Sequence, residues 1–242
     1  MPLLRVLLAL AMAAGLAPAA LAQPAPAHHA APARPVPPPP GGWLAQVSAT
    51  ADGAMVLGNP HAQWRITEYM SYTCPHCAHF EVEGGPPLRL GAIAPGKAAL
   101  EVRHFLRDPL DLTVALLTHC ASGPAFFALH QSFLARQDEW MARAQSATPA
   151  QRQRWENGPL AQRTRAIASD LHFYDIMESR GIERPRADRC LANEALAKQL
   201  SAQTARAEQA GVSGTPSFAL NGELLAGTHD WATLQLQLNA HM

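Results

Sequence analysis

Cys74 and Cys77 stand two residues apart in Ser71-Tyr72-Thr73-Cys74-Pro75-His76-Cys77-Ala78-His79-Phe80-Glu81, at the end of an apolar run and the start of a helical pattern. No other stretch narrows the fold as much, because it requires a strand that feeds a helix with two sulfurs at the junction. A sulfur at the first turn of a helix faces unpaired amide N–H groups and the positive end of the helix dipole, which favour thiolate over thiol. Cys74 is therefore assigned as the nucleophile. Cys77, one turn further in and shielded, is assigned as the resolving partner. Pro75 suits the first helical turn, where no backbone N–H is needed, and His76 can donate to the thiolate or place positive charge beside it. Both are expected to stabilise the reduced form, and a stabilised reduced form makes a stronger oxidant.

Three other uses of such a pair fit these residues less well. With His76 and His79, the cysteines could form part of a zinc site, but ligands packed this closely on one helix start rarely complete a tetrahedron, and no second Cys-x-x-Cys or His pair follows. Haem attachment needs His directly after the second cysteine, where Ala78 stands. A purely structural disulfide across a two-residue loop would constrain little of the unfolded chain.

The chain has 242 residues and 48% hydrophobic content, enough to bury a substantial core in one large domain or two smaller ones. Its formal net charge of zero argues against nucleic acid or an anionic membrane surface as the main partner. Residues 1–22 read as a cleaved secretory signal: Arg5 supplies the positive start, residues 6–16 the apolar stretch, and Ala20-Leu21-Ala22 the small-x-small cleavage site before Gln23. An uncleaved anchor is the alternative, disfavoured by the short apolar run and by Gly15 and Pro18. Export would place four cysteines where disulfides persist, which in a Gram-negative bacterium is the periplasm. Residues 23–42, almost all Ala and Pro, read as an extended, disordered tether.

The pattern of the remainder is β-α-β, a helical block, then β-β-α. Residues 56–60 read as a short edge strand and residues 64–72 as the first central strand, with Ile66, Glu68 and Met70 on one face. Glu68 has two readings, a surface charge on an edge strand or a buried carboxyl with a raised pKa that exchanges protons with Cys77. The helix after Cys77 breaks at Gly84-Gly85-Pro86-Pro87 and resumes over residues 88–93, and residues 98–107 alternate as a second strand, which makes a right-handed parallel unit. Phe126, Phe127, His130, Phe133 and Leu134 recur at helical spacing, Trp140 and Met141 continue that face, and His130 reads as a core histidine. Further helices are expected over residues 160–168, 173–179 and 187–209. Arg143, Arg152, Arg154, Arg163 and Arg165 read as a solvated face. Asn221-Gly222 predicts a hairpin joining residues 217–220 to 223–226, followed by a closing helix over residues 229–239.

At three features the chain resembles the DsbA family of thioredoxin-fold thiol–disulfide oxidoreductases: Cys74-Pro75-His76-Cys77 with Phe80 and Glu81 behind it, Glu68 six residues ahead, and Gly214-Thr215-Pro216 opening the third strand. The likeness covers residues 55–239. It implies an α/β thioredoxin fold split by an all-helical insertion: residues 43–109 and 211–242 as the thioredoxin-like domain, residues 110–210 as the insertion. It further implies a cis Thr215–Pro216 bond beside the cysteines, with the Thr215 backbone free to pair with an extended substrate chain. The best-known oxidases of the family carry a β-branched apolar residue before that proline, whereas Thr215 is similar to the residue in thioredoxins and disulfide isomerases. Its hydroxyl can act on the sulfurs, which leaves the redox potential open. Isomerases of that class carry an N-terminal dimerisation domain, and the Ala/Pro tether is not one.

The reading is an exported, monomeric oxidase that gives the Cys74–Cys77 disulfide to reduced or misoxidised secreted proteins and is reset by a membrane redox partner. It requires no cofactor, metal or nucleic acid. An isomerase or reductase using the same dithiol and, in a different class, a Cys/His metal-handling protein are the alternatives. Cys120 and Cys190, outside the family features, are expected to pair as a structural staple, against the alternative of two free, buried, apolar cysteines.

Overall fold

The structure, a computed structural model, describes residues 37–241. The expected leader and the tether up to residue 36 lie outside the described residues. Gly42 N–H closes a turn on the Pro39 carbonyl at 2.9 Å, and Trp43 then buries its indole. Gly96 faces that ring: with φ +78° and room for no Cβ beside the Trp43 Nε1, only glycine fits.

The described strands are β1 (Val47–Ala49), β2 (Met55–Gly58), β3 (Trp64–Met70), β4 (Ala98–His104), β5 (Ser217–Leu220) and β6 (Glu223–Leu224). They form one sheet in the order β1-β2-β4-β3-β5-β6. β3 and β4 are parallel, with Ile66 opposite Leu100 and Glu68 opposite Val102, and the chain between them runs through α1 (Pro75–Glu83), α2 (Gly85–Leu88) and a wide turn over Arg89–Ile93. β5 lies antiparallel on the other side of β3, placing Phe218 opposite Glu68. The central strands have strand partners on both edges and helix side chains packed on their faces, Phe80 of α1 against Phe218 at 4.7 Å between ring centroids among them, and Ile66, Met70, Val102 and Phe218 have no exposed surface. Gly84 allows the bend between α1 and α2, since a Cβ there would stand 2.7 Å from the Phe80 ring. This is a thioredoxin fold, and between β4 and β5 it is interrupted by helices.

That block comprises α3 (Pro109–Thr118), α4 (Pro124–Ala135), α5 (Gln137–Gln145), α6 (Pro149–Glu156), α7 (Leu160–Asp170), α8 (Phe173–Glu178), α9 (Arg184–Leu191) and α10 (Glu194–Gln209). α11 (Trp231–His241) follows the last hairpin. Local chemistry explains several starts. Asp108 caps α3 by accepting from the Asp111 N–H at 2.9 Å, with Pro109 at the first helical position, and Thr148 with Gln151 forms a reciprocal cap on α6. The block has an aromatic centre, in which Phe173 meets Phe133 and Trp140 edge-on at 5.3 and 5.4 Å between ring centroids. Cys120, just after α3, is disulfide-bonded to Cys190 in α9, with 5.5 Å between their Cα atoms.

Several expectations are corrected. Residues 56–60 are not an edge strand: β2 is interior, and the edge is β1, whose three residues carry no usable alternation. Thr50 joins β1 to β2 by accepting the Ala54 N–H on its hydroxyl at 2.9 Å. Trp140 and Met141 do not continue the helix of Phe126, because the chain turns at Arg136 (φ −106°, ψ 15°) and restarts as α5. Residues 187–209 divide at Asn193, which caps α10 through the Leu196 N–H at 3.0 Å. The second strand stops at His104 and the hairpin's return strand is two residues long. The closing helix begins at Trp231, since His229 instead turns its Nδ1 to the Pro216 carbonyl at 2.8 Å. Among the arginines, Arg143, Arg154 and Arg165 do pair with Glu139, Asp170 and Asp188 at the surface, but Arg163 is half-buried with its Nε unpartnered.

Candidate active site

β3 delivers the chain to a loop, Ser71 to Thr73, that is buried and hydrogen-bonded at nearly every polar group. The Asp111 carboxylate accepts from the Ser71 hydroxyl at 2.5 Å, the Tyr72 N–H at 2.8 Å and the Arg107 N–H at 3.0 Å. Burial nonetheless pushes the Asp111 carboxyl up to about 7. Thr73 donates its hydroxyl to Asp108 at 2.7 Å. From the far side, Gln137 Nε2 donates to the carbonyls of Tyr72 at 2.6 Å and Cys74 at 2.9 Å.

Cys74 follows as the residue capping α1, with extended φ −90° and ψ 117°, and Pro75 occupies the first helical position. Cys74 and Cys77 are both reduced and both buried, beneath the exposed Pro75 and His76. The Cys74 sulfur lies 3.1 Å from the Thr215 carbonyl. Its pKa is drawn from 9.0 down to about 5, chiefly by a hydrogen bond from the Cys77 thiol, then by the Thr215 side chain and the backbone N–H groups of Cys77 and His76, against the opposing effect of burial. Cys77 moves the other way. Burial pushes its thiol well above the ordinary value, and the Cys74 hydrogen bond and the charges of Glu68 and Cys74 add to this.

The expected tuning residues divide. Glu68 is buried on the central strand, not on an edge, and its carboxyl is raised well above the usual range by burial and then by Glu81. Glu81, itself raised by burial, is held by Arg89 at 2.6 Å. His76 acts on the sulfur through its backbone N–H; its side chain is exposed and lines a groove of about 520 Å³ together with Pro75, His79, Val82, Leu134 and Gln137. The strongest influence on Cys74 is thus its own partner thiol, not the histidine. The Thr215–Pro216 bond is cis. Cys120 and Cys190 form a disulfide within the helical block, away from this constellation. His130 is a core histidine, as read from the pattern, and its Nδ1 lies 3.0 Å from the Tyr72 hydroxyl.

Sequence reasoning did not single out Asp108, Asp111, Gln137 or His229. Gln137 sits in Arg136-Gln137-Asp138-Glu139, which reads as surface; Asp108-Pro109 marks the end of the second strand, but nothing in the pattern ties Asp108, Asp111 or His229 to the cysteines. Among the described residues, no group of three or more His, Cys, Asp or Glu side chains is placed to hold a metal ion, and no helix is long and apolar enough to cross a membrane.

Residues 50–240 match the family described as Thioredoxin. The crystal structure of a protein-disulfide isomerase from Novosphingobium aromaticivorans is 56% identical, with a TM-score of 0.76 over 79% of this chain and 98% of that one. Wolbachia pipientis alpha-DsbA1 superposes with a TM-score of 0.63 over 79% of this chain and 92% of its own, at 18% identity, a likeness of fold. That coverage is too large for the thioredoxin portion alone, so the likeness of fold extends into the helical block. A Rickettsia conorii protein described as a protein-disulfide oxidoreductase is 32% identical over 175 residues, 71% of this chain and 54% of its own length. The chain thus spans about half the length of the curated relatives it matches.

Proposed function

The chain belongs to the thioredoxin family, and we propose that it is an exported thiol–disulfide oxidoreductase that donates the Cys74–Cys77 disulfide to folding secreted proteins. The observation that carries this reading is the opposed tuning of the two sulfurs, Cys74 drawn down to about 5 and Cys77 pushed up. Stabilising the reduced pair makes its disulfide a strong acceptor of electrons.

A client thiolate attacks the Cys74 sulfur of the oxidised pair. The Cys74–Cys77 bond breaks, its electrons pass to Cys77, and Cys77 takes a proton, for which the buried, protonated Glu68 is the source. A second client thiolate then attacks the client sulfur of the mixed disulfide and releases Cys74 as the stabilised thiolate. The client has lost two electrons to the Cys74–Cys77 pair and two protons to solvent, and Glu68 takes one proton back from solvent to replace the one it gave to Cys77. The client backbone pairs with Thr215 beside Pro216, and the groove along Pro75, His76 and Val82 receives its side chains.

In this reading residues 43–109 and 211–242 make the reacting domain, residues 110–210 its helical insertion, and residues 1–22 and 23–42 the leader and tether of a periplasmic monomer. A membrane redox partner restores the disulfide. The name of the 56% identical relative and the hydroxyl of Thr215 favour a second reading, isomerisation of wrong disulfides by the same dithiol. Equilibration of the pair with glutathione, followed by assays on a reduced and a scrambled client, separates the two. Oxidase activity requires a pair that glutathione reduces readily and that oxidises the reduced client. Slow oxidation of the reduced client, with faster repair of the scrambled client by the reduced pair, overturns it in favour of isomerase.

A further inference from the structure

We propose that Gln137, supplied by the helical block, is the positioning residue that sets the reactivity of Cys74. This rests on the proposed exchange chemistry at Cys74 and adds a role for the insertion in it.

The geometry is specific. Gln137 is 3% exposed, and its side-chain amide offers two N–H donors, which meet two carbonyls at 2.6 and 2.9 Å, those of Tyr72 and Cys74. The peptide after Cys74 leads into Pro75 and has no N–H, so its carbonyl is the one polar handle by which that plane can be held. The same carbonyl already accepts from the Cys77 and Ala78 N–H groups at 3.1 and 3.3 Å. Asp111 holds Tyr72 from the other side through its N–H at 2.8 Å. Fixing the carbonyls of Tyr72 and Cys74 together restrains the rotations of Thr73 and Cys74 between them. Those rotations decide where the sulfur points. At the observed angles it meets the N–H groups of His76 and Cys77, the Cys77 thiol and the Thr215 side chain, the groups that draw it down.

The turn at Arg136, which interrupts what the sequence presents as one long helical face, is what makes the contact available: it puts Gln137 at the head of α5, under the loop. A glutamine that merely satisfied two buried carbonyls would matter for stability alone. A positioning glutamine must move the titration of Cys74.

The test uses the full chain, reduced, and follows the rate of Cys74 alkylation by iodoacetamide against pH in the wild type, Gln137→Glu and Gln137→Met. The expected result is a midpoint raised by about one unit in both variants, with the glutathione equilibrium moved about tenfold toward oxidised protein. Folded variants that titrate where the wild type does overturn the inference. A second measurement needs no variant: in wild-type protein the side-chain amide resonances of Gln137 should report the Cys74 titration with the same midpoint, and resonances that ignore it also overturn the inference. A wild-type midpoint near the ordinary thiol value sinks the proposed function itself, a different outcome from a low wild-type midpoint that the variants leave in place.

Discussion

Replacing Cys74 with Ala should remove from the reduced protein a pH dependence of stability that counts the displaced proton. The Cys74 pKa is lowered from 9.0 to about 5, so between those limits the unfolded chain carries a proton at Cys74 that the folded chain does not. Stability from this group is therefore complete above pH 9, falls as pH drops through the window, and is gone below about 5. Each unit is worth about 1.4 kcal/mol, which sets an upper bound of about 2.7 kcal/mol at pH 7. The sulfur lies just beneath the exposed Pro75 and His76, and screening by nearby water reduces the expected figure to about 1–2 kcal/mol. Below pH 9 the Cys77 thiol keeps its proton in both states and drops out of the comparison. The assay is denaturant unfolding of reduced wild type and Cys74→Ala from pH 4.5 to about 8.5, read as their difference at each pH. That difference should be flat near the acid end and then favour the wild type increasingly as pH rises. A pH-independent difference across the range, or one that shrinks as pH rises, refutes the idea that the fold stabilises a thiolate here.

Two further outcomes are expected. Glu68→Gln mimics the protonated acid that burial enforces, so at neutral pH it should stabilise the protein, with the gain vanishing below the ordinary carboxyl range, while formation of the mixed disulfide, which needs a proton delivered to Cys77, slows about tenfold or more in stopped-flow turnover. A Cys120→Ser, Cys190→Ser protein should lose roughly 4 kcal/mol in urea unfolding, from the 70-residue separation in the chain-entropy model, yet keep the Cys74 titration; a shifted titration would tie the staple to the chemistry.

The dithiol motif and the last hairpin were legible because they rest on short-range features. Cys74-Pro75-His76-Cys77 after an apolar strand, and Asn221-Gly222 between two β segments, each encode their geometry within a few residues. Lone partners were not legible. Asp111 and Gln137 reach the Cys74 loop from 39 and 63 residues away, and neither residue type nor periodicity distinguishes them from polar neighbours on solvated helices. The edge strand β1 was missed for a related reason: three residues are too few to alternate, and the neighbours that make it a strand lie in β2.

The sequence by itself determined the strand–helix–strand order around the cysteines, that Cys74 heads the helix with Cys77 one turn inside it, and the turn chemistry that closes the sheet, since these follow from local backbone preference and hydrophobic period. Only the tertiary structure decided the environment of each group. Glu68 is a surface charge or a buried acid according to whether strands flank it on both sides, and β4 and β5 do. The pull on Cys74 likewise comes from groups that converge in space, the Cys77 thiol, Thr215 from the far end of the chain and two N–H groups of α1, on a loop held by the helical block. Electrostatics in a low-dielectric interior depends on distances of a few ångströms, and the chain sets those only when it packs.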